Sequence, residues 1–217
     1  ILGNSRNDAD IADLSAERVD MRVCIDAAYL PLQVVAQESG TEIILDMPDE
    51  PVPASVDSRR IERVLRNLIA NAIDHSEGNP VVIALRADDH VVACTVTDRG
   101  VGLKPEQEEL VFNRFWRADP SRERRTGGTG LGLAIAREDA LLHGGRLEAH
   151  GVPGTGSCFR LRLPLEPGGP VDTEPLPLEV PGAPAPAPRA EVFDALVAKR
   201  EPEPQPAPET EAEGDRP

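Results

Sequence analysis

Aromatic residues are scarce: one Trp, one Tyr and four Phe make up 3% of 217 residues. A fold with so few rings must build its core from aliphatic side chains. Cysteine is rarer still, at three. Cys24, Cys94 and Cys158 form neither a CxxC pair nor a zinc-ligand spacing, which excludes a disulfide framework and points to free thiols in a reducing compartment. The longest purely apolar runs, such as Val81 to Leu85, are about five residues, against the ~18–20 of a membrane helix. No signal-peptide pattern opens the chain. Basic charge is also in short supply. The 23 Lys+Arg against 38 Asp+Glu leave a net charge of −15, which argues against nonspecific binding to nucleic acid or an anionic membrane.

What is present is unevenly spread. From Leu165 to Pro217 the chain holds 13 of its 22 prolines and a net charge of −8, leaving −7 on the first 164 residues. Such a composition buries too little apolar surface to offset ordering entropy, so a disordered tail is expected over 166–217. Within it, residues 190–200 (AEVFDALVAKR) have the spacing of a short amphipathic helix. Residues 1–18 read as the end of a polar helix and a connector, and the start at Ile1-Leu2, inside a pattern, suggests a piece of a longer protein. Residues 19–165 carry the pattern of one domain. Strands are expected at 19–23, 41–47, 81–87, 90–98, 146–149 and 157–165. Helices are expected at 25–37, 57–76, 105–113 and 130–142, with Gly or Pro stops between. Two hairpins make the sheet at least partly antiparallel, so the fold class is α+β, a layered sandwich rather than a doubly wound sheet.

The helix around residue 67 carries polar residues in register. At about 100° per residue, Ile61, Val64, Leu65, Leu68 and Ala72 share one face, and Asn67, Asn71, Asp74 and His75 form a stripe at its margin. Asparagine is a poor helix former, so a pair at i and i+4 needs a reason. The stripe is either a solvated face or a row of oxygens facing a ligand; amide oxygens suit Mg²⁺ shared with phosphates. Two glycine segments follow, Asp98-Arg99-Gly100-Val101-Gly102 after a strand and Gly127 to Gly132 (GGTGLG) before a helix. Each is either a turn or a backbone cradle; bare N–H groups at a helix start attract anions. Neither fits GxxxxGK[ST] or GxGxxG, and kinase HRD and DFG signatures are absent. Between them, VFNRFWR at 111–117 and Arg122, Arg124 and Arg125 put five arginines in twelve residues of an acidic protein. That is a surface loop with a small apolar cluster, or a phosphate-facing lid.

In order, NLIANAIDHS at 67–76, DRGVG at 98–102, VFNRFWR at 111–117 and GGTGLGLAI at 127–135 resemble the N, G1, F and G2 boxes of bacterial sensor histidine kinases. The resemblance covers about residues 20–165, and the lid segment is most similar to an actinobacterial branch. It implies a Bergerat-type α/β sandwich, a mixed sheet with helices packed on one face, shared with the gyrase, Hsp90 and MutL ATPases (GHKL). It implies ATP and Mg²⁺ as cofactors. Asn71 would ligate the metal, and Asn67 would help hold the phosphates. Asp98 would accept the adenine amino group's hydrogen bond, with Gly100 and Gly102 passing close to the base. Gly128, Thr129, Gly130, Leu131 and Gly132 would line the phosphates, His75 would lie against the nucleotide, Phe112 and Phe115 would anchor the lid, and Arg125 would reach the γ-phosphate. One departure is Asp74-His75, where many relatives carry Lys followed by Tyr or His; an acid there repels a triphosphate.

The implied reaction is transfer of the γ-phosphate to a histidine on a separate helical domain and from there to a response regulator. None of His75, His90, His143 and His150 stands in an H-[ED]-x-x-[TN]-P context, so the chain is expected to hold the ATP-binding half without the phosphoacceptor. The implied partners are its own dimerisation and phosphoacceptor domain, in a homodimer of the full-length protein, and a response regulator. Nucleic acid is not among them, and a membrane enters only through upstream segments, making this a cytoplasmic domain of an anchored kinase. Two alternatives stay open on the same fold: a GHKL ATPase or anti-sigma-type Ser/Thr kinase, and a degenerate nucleotide-binding scaffold. Removing 167–217 is expected to leave nucleotide affinity intact.

Overall fold

The computed structural model describes residues 14–117, 130–180 and 182. The expected helix at 190–200 lies outside them, as does Ile1 to Asp13.

A short strand β1 (Glu17–Asp20) leads directly into helix α1 (Met21–Tyr29). The Asp20 carboxylate accepts from the Arg22 and Val52 N–H groups, both at 3.1 Å. Its pairing with the Arg22 guanidinium holds its pKa below the usual 3.8. This N-cap ends β1 at residue 20, where the pattern suggested a strand running to Val23. The helix expected over 25–37 is broken in two. Pro31 lacks an N–H, and the chain turns through a 3₁₀ segment, Leu30–Leu32, before α2 (Gln33–Glu38). Strand β2 (Ile43–Asp46) follows, then β3 (Pro53–Val56), which pairs antiparallel with β1 in a separate two-stranded sheet.

The long helix α3 (Ser58–His75) starts at an Asp57 cap whose side chain accepts from the Arg60 N–H. Strands β4 (Val81–Ala87) and β5 (Val91–Asp98) form the expected hairpin. A short helix α4 (Gln107–Leu110), helix α5 (Gly132–Leu142) and strands β6 (Arg146–Val152) and β7 (Gly156–Pro164) complete the order. The main sheet runs β2-β4-β5-β7-β6, with only the β2–β4 pair parallel.

Strand alternation sends Ile83, Leu85, Val96, Phe159, Leu161 and Leu163 to one face, where they meet Ile25 of α1, Ile61, Leu65, Leu68 and Ile69 of α3 and Ala136 of α5. Fully burying each of the large aliphatic chains is worth about 1.5–3 kcal/mol. The core is therefore aliphatic, and helices cover one face, the architecture the resemblance implies. The three cysteines are free and buried. Burial pushes the Cys24 thiol up to about 11 and Cys94 to about 12, which leaves them unreactive. Among the described residues no helix is long and apolar enough to cross a membrane.

The other face of the sheet is covered by residues assigned above to the tail. Arg160 and Arg162 of β7 share Glu148 of β6, at 3.0 Å each. Glu174 closes on Arg160 at 3.2 Å. The Leu176 and Thr173 carbonyls accept from the same two guanidinium groups, at 2.8 and 3.0 Å, and Val180 is buried. Residues 166–180 thus form a coil strap, short of regular structure because its prolines cannot join a ladder.

Candidate functional site

Helix α3 positions both ends of the site. Its buried positions are Ile61, Val64, Leu65, Leu68, Ile69, Ala72 and Ile73, while Asn67, Asn71, Asp74 and His75 are all half-buried. The polar stripe therefore lies at the margin of the core, where amide oxygens reach a ligand while the helix stays anchored.

At the C-terminal end of α3, Asp98 closes β5 with 0% exposure. Its Oδ1 accepts from the Gly100 N–H at 2.9 Å, and its Oδ2 accepts from the Ser157 hydroxyl. Burial pushes the Asp98 carboxyl above its usual 3.8, and the Ser157 and Gly100 donors oppose that rise. A carboxylate raised by burial gains from any further N–H donor. Gly100 is demanded by packing: a Cβ there would lie 1.7 Å from the His75 carbonyl oxygen. That carbonyl accepts from the Val101 N–H at 3.2 Å, so the turn after Asp98 is tied to the last residue of α3. Gly102 has φ +69°, and a Cβ on it would meet the Val152 oxygen at 2.0 Å.

Two turns back along α3, Gly130 (φ +74°) and Leu131 lead into α5, whose first turn has no side-chain cap. Uncapped N–H groups at a helix start form an anion site. Gly132 presses on Asn67: a Cβ there would come 2.8 Å from Asn67 Oδ1. Asn67 and the start of α5 are thus brought together, and Asn71 follows one turn along the same face of α3. Gly128, Thr129 and Arg125 lie outside the described residues.

The lid anchors need correction. Phe112 is buried edge-on to Phe159, centroids 6.2 Å apart, with the Arg137 guanidinium 5.0 Å above its ring. Phe115 is 72% exposed, at φ +65°; its backbone N–H, not its ring, bonds the Gly130 carbonyl at 2.9 Å. The second ring packed against the core is Trp116. Helix α4 stops at Leu110, short of the 105–113 expected for it. Sequence reasoning missed Ser157, which orients Asp98, because a serine opening a strand has no distinguishing pattern. It also missed Asp139, which follows Arg137 and Glu138 and reads as one more charge of a solvated helix face.

A buried carboxylate beside a helix's C-terminus, and amide oxygens with bare N–H groups one to two turns back along the same helix, can together hold a base linked to phosphates. The family model described as Histidine kinase-, DNA gyrase B-, and HSP90-like ATPase matches residues 56–167. The chain belongs to that family, and this is an ATP-binding domain. It is 59% identical over 179 residues to the sensor histidine kinase MtrB of Mycobacterium leprae, covering 82% of this chain and 32% of that protein. It is 57% identical over 187 residues to the MtrB of Mycolicibacterium paratuberculosis, covering 86% and 33%. The chain thus spans about a third of the length of these curated relatives. Among solved structures, the mycobacterial sensor histidine kinase MprB matches with a TM-score of 0.58 at 31% identity, covering 70% of this chain and 99% of that one. Full-length ShkA in complex with AMPPNP matches at 0.61 and 26%, covering 79% and 36%.

Proposed function

We propose that this chain is the catalytic ATP-binding portion of a two-component sensor histidine kinase. In this reading it presents the γ-phosphate of Mg-ATP to a histidine on a separate helical domain of a homodimer. The observation that carries the proposal is the arrangement on α3: Asp98 buried beside its C-terminus, and Asn67, with Asn71 one turn further along the same face, against the uncapped start of α5.

Asp98 accepts the hydrogen bond of the adenine amino group; guanine offers a carbonyl there, whose lone pairs oppose the carboxylate. Asn71 supplies an amide oxygen to Mg²⁺, and Asn67, held against Gly132, orients beside it. The N–H groups opening α5 donate to phosphate oxygens and neutralise charge that builds as the phosphoryl group moves. The metal, when bound, withdraws charge from the phosphates. Burial keeps water from Asp98 and fixes the base, which positions the far end of the nucleotide.

In the same reading, residues 1–18 end the dimerisation helix, and segments outside this chain anchor the full-length kinase in the plasma membrane. The phosphoryl group passes on to a response regulator of the MtrA type. The test mixes this chain with γ-labelled ATP and the purified helical domain of the full-length protein. Acid-labile label should appear on that domain and vanish when its histidine is replaced. Release of free phosphate alone would make the chain an ATPase, and label on Ser or Thr would make it another kind of kinase.

A further inference from the structure

The polar stripe of α3 extends one turn beyond the asparagines, since Arg63, Asn67 and Asn71 recur every four residues. Arg63 is engaged in a fork on Asp139 of α5, with Nε to Oδ2 at 2.8 Å and Nη2 to Oδ1 at 2.8 Å. Arg60, one turn earlier, adds Nη1 to Oδ1 at 3.1 Å. The Asp139 side chain is 3% exposed, so this carboxylate is buried under two guanidinium groups.

Helix α5 therefore meets the stripe twice, at Gly132 against Asn67 and at Asp139 against Arg63 and Arg60. The two helices run antiparallel, and the second contact fixes how far α5 slides along α3. The rest of the buried face of α5 cannot do this, because it consists of Ala134, Ala136 and Ala140. Alanine rows have shallow ridges and specify axial register poorly. A buried ion pair is a weak source of net stability, and setting register is its best-attested use. The flanking residues extend the hold. Arg137 lies over Phe112 and pairs with Glu109 at 3.0 Å, and Glu138 pairs with Arg114 at 2.6 Å. His143 completes the end of α5: its Nε2 accepts from the Asp57 N–H at 3.1 Å, and its Nδ1 lies 2.7 Å from the Asp139 carbonyl oxygen.

We infer that Asp139 is a positioning residue for the phosphate end of the nucleotide site, setting the register that places the first N–H groups of α5 and Gly132 against Asn67. Asp139 acts through α5, at a distance of two helical turns. This deepens the proposed function and rests on it. An α5 that slips toward Asn67 displaces that carboxamide, and one that slips away withdraws the N–H donors.

The test compares Mg-ATP with adenosine, which engages only the base end. Calorimetry on Asp139→Asn, an isosteric change, should show Mg-ATP affinity falling about tenfold and adenosine affinity holding within about twofold. Arg63→Gln, which leaves Arg60 in place, should move Mg-ATP the same way by less, and it decides the question if Asp139→Asn does not fold. Equal losses for both ligands would show a merely structural role and overturn the inference, as would an unchanged Mg-ATP affinity in a folded variant. A parent chain that binds no Mg-ATP would sink the proposed function together with this inference. A parent that binds it, with variants that behave as the parent does, would sink this inference alone.

Discussion

The two parts of the site along α3 are built on opposite plans. Beside the C-terminus, Asp98 is sealed from water, bonded by Ser157 and Gly100, and backed by a glycine with no room for a Cβ. One turn and more toward the N-terminus, Asn67 and Asn71 stay half-open beside an uncapped helix start. Under the proposed function, the difference follows from what each part would handle. Choosing one neutral base over another depends on a single fixed carboxylate in a dry place, where a mismatched lone pair is costly. Holding a hydrated metal and a charged phosphate chain depends on donors and acceptors that exchange with water.

The comparison breaks most severely at Gly100. Gly100→Ala places a Cβ against a main-chain carbonyl, which has no rotamer to yield. Denaturant unfolding should show a loss of about 3 kcal/mol, with Mg-ATP binding abolished. At the open end, Asn71→Ala should lower Mg-ATP affinity at least about tenfold with stability within ~0.5 kcal/mol of the parent, read by calorimetry and thermal melts.

The strap divides the tail into two parts. Ending the chain at residue 182 should leave stability unchanged. Ending it at 166 strips Glu174 and two carbonyl partners from buried Arg160 and Arg162, and should cost about 1–3 kcal/mol in denaturant unfolding. Nucleotide affinity of the folded fraction should survive both, since the strap lies on the face of the sheet opposite α3.

Asp98→Asn sharpens the contrast because stability and binding should move in opposite directions. Burial raises the folded pKa of Asp98 above 3.8. The stability linked to this group is therefore complete below about pH 3.8 and is lost as pH rises through the folded value. At pH 7 the variant should be more stable than the parent, by about 1 kcal/mol, and the gap should close on acidification toward pH 4. Its Mg-ATP affinity should nevertheless fall. The gentlest change is Gly132→Ala. Its Cβ meets the far end of the Asn67 side chain, which can turn aside, so Mg-ATP binding should weaken only a few-fold while the melt is unmoved.

Much of this was legible in the chain. The stripe on α3, the β4–β5 hairpin and both glycine segments follow from periodicity and from residues with special backbone needs. What was hidden has specific causes. Pro48, Pro51 and Pro53 read as a loop, yet Pro53 opens β3 in a two-stranded sheet, at a strand's first residue where proline is tolerated. Asp20 read as part of a strand and is one, but it also caps a helix through a side-chain bond, which ends the strand three residues before the expected Val23. Residues 166–180 have the composition of a solvated tail. They are held by Arg160 and Arg162, whose burial shows only once β5, β6 and β7 are assembled.

The most direct measurement is a calorimetric titration of this chain with Mg-ATP and with Mg-GTP under the same conditions. Saturable heat with Mg-ATP, and none at comparable concentrations of Mg-GTP, is the result expected of a sealed carboxylate that accepts an amino group. Equal binding of the two nucleotides, or binding of neither, would contradict the assignment of Asp98 and with it the site.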